Sequence, residues 1–309
     1  MRTGLLFPGQ GSQHVGMGRG LAESFEEAHD TFAEADEILS FPLSQIAWEG
    51  PDEELTATEN AQPALYVHSI AAFRVAQSIL GTLVGAAGHS LGELTAHAAA
   101  GSYAFADGLR AVRRRGELMA SASEIAAGKM AAVLGLEAEV VHDLCRDAEA
   151  RGHVVVPANF NAPAQVVLSG DAEGVAWAAQ EARERGARRV MQLRVAGAFH
   201  SPLMRPAVAE FEAALAGVVF ERPDFPIVAN VTAEAAGEPA AVPGLLARQL
   251  TSPVRWVECI ESLVGMGVER LVELGPGRVL TNLCRRSARG VSALAVGTPE
   301  SISLLEGNG

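Results

Sequence analysis

Short apolar runs that end in Gly or Asn alternate along this chain with longer stretches whose apolar residues return every three or four positions. The first pattern reads as a buried strand and the second as a helix with one apolar face. On this reading Thr3–Phe7 is a strand, and Leu21–Leu39 and Gln62–Leu80 are helices. Leu83–His89 is a strand feeding a helix from Leu91 to about Ala100, and Phe105–Ser121 is a further helix. Strands alternating with helices in this way predict an α/β protein on a mainly parallel sheet.

The rhythm changes between about Gly128 and Val195. Met130–Leu136, Val154–Ala158, Gln165–Ser169 and Val190–Val195 are strand-like, while Glu137–Ala150 and Ala172–Arg185 are helical. Strand–helix–strand–strand–helix–strand is the ferredoxin-like order. Residues 128–195 are therefore expected as a small subdomain inserted between residues 1–127 and 196–309 of a larger one. After the insertion come a helix at Ala207–Leu215, a strand at Ile227–Asn230, a helix at Val254–Met266, a strand at Arg270–Leu274 and a helix at Val279–Arg285. The chain contains no internal repeat, low-complexity tract or long linker.

Of the 309 residues 49% are apolar and 20% charged, the balance of a globular chain with a sizeable core. The net charge of −13 argues against nucleic-acid binding, because no basic field is available to displace phosphate counterions. Positive charge is nearly all arginine, with Lys129 the single lysine. Arginines cluster at Arg113–Arg115, Arg183–Arg189 and Arg285–Arg289, most of them expected on solvated helix faces. Cys145, Cys259 and Cys284 are widely spaced, without a CxxC pair, and read as buried thiols in a reducing compartment. No histidine spacing suggests a metal, and no apolar stretch has the length of a membrane span or a signal peptide. A cytoplasmic protein without metal or bound cofactor is expected, discrete in that little chain lies outside the pattern.

Gly88-His89-Ser90-Leu91-Gly92 is a GxSxG element set between a strand and a helix. At such an elbow the serine stands on a strained turn near a helix N-terminus, and the amide of Leu91 is placed to stabilise an oxyanion. A tight structural turn is the alternative. Serine needs a base, and three histidines are candidates. His89 adjoins the nucleophile and is expected beneath the turn. His97 is expected on the surface of the following helix. His200 lies in Ala198-Phe199-His200-Ser201-Pro202, where the insertion returns to the main pattern, and leads for that reason. No carboxylate stands out as a third member. Phe7–Gln13 is a glycine-rich turn that fails as a dinucleotide fingerprint, since His14 occupies the sixth position of GxGxxG. A loop approaching the nucleophile, with a second oxyanion amide, is its functional reading.

FPGQGSQ (Phe7–Gln13), QPALY (Gln62–Tyr66), GHSLGE (Gly88–Glu93), RRGELM (Arg114–Met119), NFNAPAQVVLSG (Asn159–Gly170), AFHSPLM (Ala198–Met204), SPVRW (Ser252–Trp256) and ELGPGRVL (Glu273–Leu280) occur in that order. Together they resemble the malonyl-CoA:acyl carrier protein transacylases from about Leu5 to Leu283. The resemblance implies an α/β-hydrolase-like large subdomain carrying a ferredoxin-like small one. It implies Ser90 as nucleophile, His200 as general base and acid, and the carbonyl of Gln249 as the group that orients His200. The amides of Gln10 and Leu91 would form the oxyanion hole, and Arg115 would pair with the malonyl carboxylate. Asn161 and Phe199 fall on the substrate side. Phe199 and Leu91 resemble malonyl enzymes, whereas Gly197 departs from the histidine common at that position. The implied partners are an acyl-CoA and an acyl carrier protein, in polyketide synthesis served in trans or in fatty acid synthesis. An editing acyl hydrolase would use the same Ser90 and His200 without needing Arg115.

Overall fold

The computed structural model describes residues 1–307. Its strands are β1 (Arg2–Phe7), β2 (Thr82–Gly88), β3 (Gly128–Leu134), β4 (Val155–Ala162), β5 (Gln165–Asp171), β6 (Arg189–Gln192), β7 (Ile227–Val228), β8 (Arg270–Leu274) and β9 (Ser292–Val296). They form two sheets. One is parallel, in the order β7-β2-β1-β8-β9, and the other antiparallel, in the order β4-β5-β3-β6. The α/β class and the ferredoxin-like insertion both follow from the sequence as read above.

β1 and β8 are buried along almost their whole length: Leu5, Leu6 and Phe7 form an apolar run in β1, while β8 buries Arg270 and Glu273 together with its three apolar residues. Phe7 pairs with Gly88 at the end of β1 and β2. The loops that leave these two strands therefore emerge side by side at the carboxyl edge, where open parallel sheets place their sites.

The small sheet shows the opposite pattern. Along β3, Ala131 and Val133 enter a core shared with helices Ala138–Glu149 and Ala172–Glu184, while Met130 and Ala132 join the main core of the protein. β5 does the same, with Val166 and Leu168 on one side and Val167 on the other. Successive strand residues face opposite ways, so one sheet lies between two cores.

Some boundaries differ from expectation. The predicted helix Leu21–Leu39 is two helices, Arg19–Ser24 and Glu26–Leu39, because Phe25 is extended at φ −135° and ψ 128°. Glu26 and Glu27 then start the second helix, where acidic side chains complement the N-terminal dipole. The sequence pattern does not predict helices Leu43–Glu49, Asp52–Thr56, Val242–Gln249 and Pro299–Gly307 or strand β9; the helices are shorter than the stretch of about 11 residues over which a helical period becomes legible. All three cysteines are buried free thiols.

Candidate active site

β2 enters the elbow at Gly88, and Ser90 adopts φ 53° and ψ −109° before helix Leu91–Ala99 begins. A Cβ on Gly88 would lie 1.8 Å from the carbonyl of Gly92, and one on Gly92 would lie 2.0 Å from the Phe7 carbonyl oxygen. Both glycines are steric requirements, and the turn they permit is a strained one held by its surroundings. Asn230, just past β7, holds it. The Ser90 amide donates to Asn230 Oδ1 at 2.8 Å, and Asn230 Nδ2 donates to the Gly88 carbonyl at 2.7 Å.

His200 reaches Ser90 across the main body, with Nε2 2.7 Å from Oγ. Its Nδ1 is 2.8 Å from the carbonyl oxygen of Gln249. A carbonyl only accepts, so Nδ1 carries the proton and the Nε2 lone pair faces the serine hydroxyl. Burial first, and then the cation of Arg115, lower the His200 pKa to about 3. The imidazole is thus neutral, with its Nε2 lone pair free. Of the rival histidines, His97 is not on the surface as expected: it is buried and meets Ser102 Oγ at 3.0 Å. The reason is that helix Leu91–Ala99 is buried along nearly its whole length, leaving no solvent face. His89 is half-buried, with Nε2 2.8 Å from Asn161 Oδ1 and its ring against Trp256.

Arg115 lies on the buried stripe of helix Phe105–Ile125 and is 1% exposed. A Cβ on the next residue, Gly116, would be 2.8 Å from Glu59 Cα, so glycine there lets this helix press against Thr58–Ala76. That approach puts Gln62 Oε1 2.7 Å from Arg115 Nη1. Nη2 donates to Ser90 Oγ at 3.0 Å and to Gln249 Oε1 at 2.8 Å. Burial lowers the guanidinium pKa to about 10, which leaves it charged at neutral pH. It has no carboxylate ion-pair partner among the described residues, and its Nε is buried without a hydrogen-bond partner.

Ser90, His200 and Arg115 face one cavity of about 180 Å³, also lined by Gln10, Leu91, Asn161 and Phe199. The amide of Leu91 opens its helix, where first-turn amides have no intrahelical acceptor. Every sequence-predicted site residue is thus at this cavity except Gln249, which is fully buried behind it and reaches it through its contacts with His200 and Arg115. Gly197 has a steric reason: a Cβ there would fall 1.8 Å from Ser123 Oγ, so a histidine would displace helix Phe105–Ile125. Sequence reasoning gave no role to Gln62, Glu93 or Asn230. The first two lie inside the quoted QPALY and GHSLGE stretches, whereas Asn230 carries no motif at all.

A strained serine on a strand-to-helix elbow, held against a neutral histidine whose other nitrogen is pinned, is a nucleophilic acyl-transfer centre. The chain belongs to the acyl transferase domain family, whose model matches residues 5–300. It is 43% identical over 303 residues to the malonyl CoA-acyl carrier protein transacylase of Bacillus subtilis, covering 98% of this chain and 96% of that one. With the enzyme of the same name from Escherichia coli K12 it shares 40% over 299 residues, 96% of each. Among solved structures, it superposes with a TM-score of 0.96 on a malonyl-transacylase in complex with its type II PKS acyl-carrier protein, at 40% identity over all of both chains. The transacylase of Xanthomonas oryzae gives 0.95 at 40%, covering 99% of this chain and 98% of that one.

Proposed function

We propose that this protein transfers a malonyl group from coenzyme A to the phosphopantetheine thiol of an acyl carrier protein, through an ester on Ser90. The observation that carries the reading is Arg115. A buried guanidinium without a carboxylate, 3.0 Å from the nucleophile, is a cation waiting for an anionic acyl terminus. Its planar fork takes a carboxylate through two charge-assisted hydrogen bonds. An acetyl group would leave the charge unpaired.

His200 Nε2 removes the Ser90 proton as Oγ attacks the thioester carbonyl. The amides of Gln10 and Leu91 hold the tetrahedral oxyanion. Collapse expels coenzyme A, protonated by the imidazolium, and leaves a malonyl-serine ester anchored on Arg115. The carrier's thiol then gives its proton to His200 and attacks the ester, and the serine alkoxide recovers that proton as it leaves. Asn161 and Phe199 shape the acyl side of the cavity. The chemistry calls for no metal or bound cofactor. We place it in the cytoplasm; among the described residues no helix is long and apolar enough to cross a membrane. Arg188, Arg285, Arg286 and Arg289 line one surface recess, the side on which an acidic carrier would dock. The names of the relatives support the malonyl and carrier-protein assignments.

The test is incubation with a panel of acyl-CoAs, reading the mass added to Ser90. A malonyl adduct that passes to a holo-carrier protein is expected. Equal loading from acetyl-CoA would overturn the malonyl assignment, and release of free malonate faster than transfer would make the protein a hydrolase.

A further inference from the structure

Behind His200 stands a backbone carbonyl, but one hydrogen bond further back there is a carboxylate. Glu93 lies three residues past the nucleophile, in the first turn of helix Leu91–Ala99, and is fully buried. Its Oε2 accepts from Gln249 Nε2 at 2.6 Å and from the Asn230 amide at 3.0 Å. Asn230 is the clamp on the elbow. Gln249 touches everything that reacts. Its carbonyl holds His200 Nδ1 at 2.8 Å, its Nε2 also donates to the Ser90 carbonyl at 3.0 Å, and its Oε1 accepts from Arg115 at 2.8 Å. The Gln249 amide therefore points its acceptor end at the cation and its donor end at the carboxylate.

We propose that Glu93 is the positioning residue of this centre, a carboxylate that fixes Gln249 and Asn230 and, when ionised, offsets the positive charge on Arg115 and on His200 during acyl transfer. The inference rests on the function proposed above. When His200 takes the serine proton, an imidazolium forms close to a guanidinium, both side chains buried, and like charges there repel strongly. A carboxylate within the same hydrogen-bonded network lowers that cost without occupying Nδ1.

Glu93 interacts electrostatically with Arg115 on helix Phe105–Ile125, Cys259 on helix Trp256–Gly265, and Tyr103 in the segment before Phe105. Burial pushes the Cys259 thiol and the Tyr103 hydroxyl up, so Arg115 is the charged one. Burial likewise pushes the Glu93 carboxyl up to about 7, with the Asn230 and Gln249 hydrogen bonds and Arg115 acting against it. Its ionisation therefore falls in the working range.

The test compares wild type with Glu93→Gln. The amide accepts the same two hydrogen bonds but stands in for the protonated acid. The rate of malonyl-Ser90 formation is followed by rapid quench and intact mass between about pH 5.5 and 8.5, the range that brackets such a group. The expected ratio of wild-type to variant rate is near one at the acid end and about tenfold at the alkaline end, since one pKa unit of lost charge stabilisation is a factor of ten. Glu93→Ala, which orphans both donors, is expected to be slow at every pH. A constant ratio across the range would reduce Glu93 to a structural role and overturn the proposal. Should Glu93→Gln fail to fold, isotope-edited infrared spectra of the wild type decide: a buried carboxyl that titrates near neutrality, and shifts up in Arg115→Met, supports it, and none titrating there ends it. Ser90→Ala or His200→Ala still gaining a malonyl ester would instead sink the functional reading itself, so the two failures are separable.

Discussion

At the cavity the parallel sheet and the antiparallel sheet do different work. The parallel one supplies the elbow of Ser90 from β2 and the clamp Asn230 beyond β7, and the helices packed around it bring Arg115 and Gln249. The antiparallel one supplies walls: Met130 from β3, Asn159 and Asn161 from β4, and Val167 from β5. Reacting atoms sit where backbone geometry is fixed by steric necessity, as at Gly88 and Gly92. Shape is set by side chains on a sheet that uses alternate residues for its own core. The difference teaches that chemistry and substrate size are partly separable in this molecule: no reacting group comes from the antiparallel sheet, which shares the shaping of the cavity with Phe199 and Met119.

The sharpest way to break that division is at the nucleophile and its base. Ser90→Ala should abolish acyl-enzyme formation, and His200→Ala should slow it by roughly 10³-fold or more while thermal unfolding stays cooperative. Undiminished acylation in either, measured by intact mass, would move the chemistry elsewhere.

Next is the anchor. Arg115→Ala should cut the preference for malonyl- over acetyl-CoA in kcat/KM by about 10²-fold or more, the scale of an unpaired buried charge. An unchanged ratio would make Arg115 structural.

Acid should weaken the region that carries the chemistry. Burial lowers the pKa of His68 to about 4 and those of His97 and His200 to about 3, and all three lie outside the small sheet. Their unfolded values are near 6.5. Stability they confer is full above about pH 6.5 and is lost as pH falls toward 4, because the unfolded chain then binds protons the folded one refuses. Glu93, raised to about 7, acts oppositely and offsets about one histidine's share between its unfolded value of 4.5 and neutrality. These four groups together contribute a slope near pH 5.5 of up to about 3 kcal/mol per pH unit, from two uncompensated protons. Denaturant melts at a series of pH values test this, and a stability that holds or rises on acidification contradicts it.

The smallest effect belongs to the walls. Val167→Ala, on β5, should change the malonyl kcat by less than about tenfold, since it removes cavity packing and no reacting group, while improving use of a branched malonyl-CoA. A larger loss of malonyl turnover would mean that the small sheet takes part in the chemistry.

Much of this was legible in the chain. The GxSxG elbow is a local device: strand, turn and helix are contiguous, and the steric demands that select Gly88 and Gly92 act within a few residues. The ferredoxin-like insertion was legible because its helices and strands carry clear periods. His200 could be ranked above His89 and His97 by its junction position, yet the placement of His97 on a surface was wrong, since a helix buried nearly all round gives no periodic sign of its neighbours. The role of Asn230, at the end of an expected strand, and the short helix holding Gln249 went unread, since neither carries a motif.

The sequence by itself determined the strained serine, the order of the two sheets' elements and the presence of arginine beside a glycine in a helix, because these depend on contacts between near neighbours. Only the tertiary structure decided that His200, 110 positions from Ser90, stands 2.7 Å from it. It also decided that Arg115, Gln249 and Glu93 form one buried network around both. Such pairings are set by the packing of whole sheets and helices, and no local pattern of residue types encodes which loops that packing brings to one cavity.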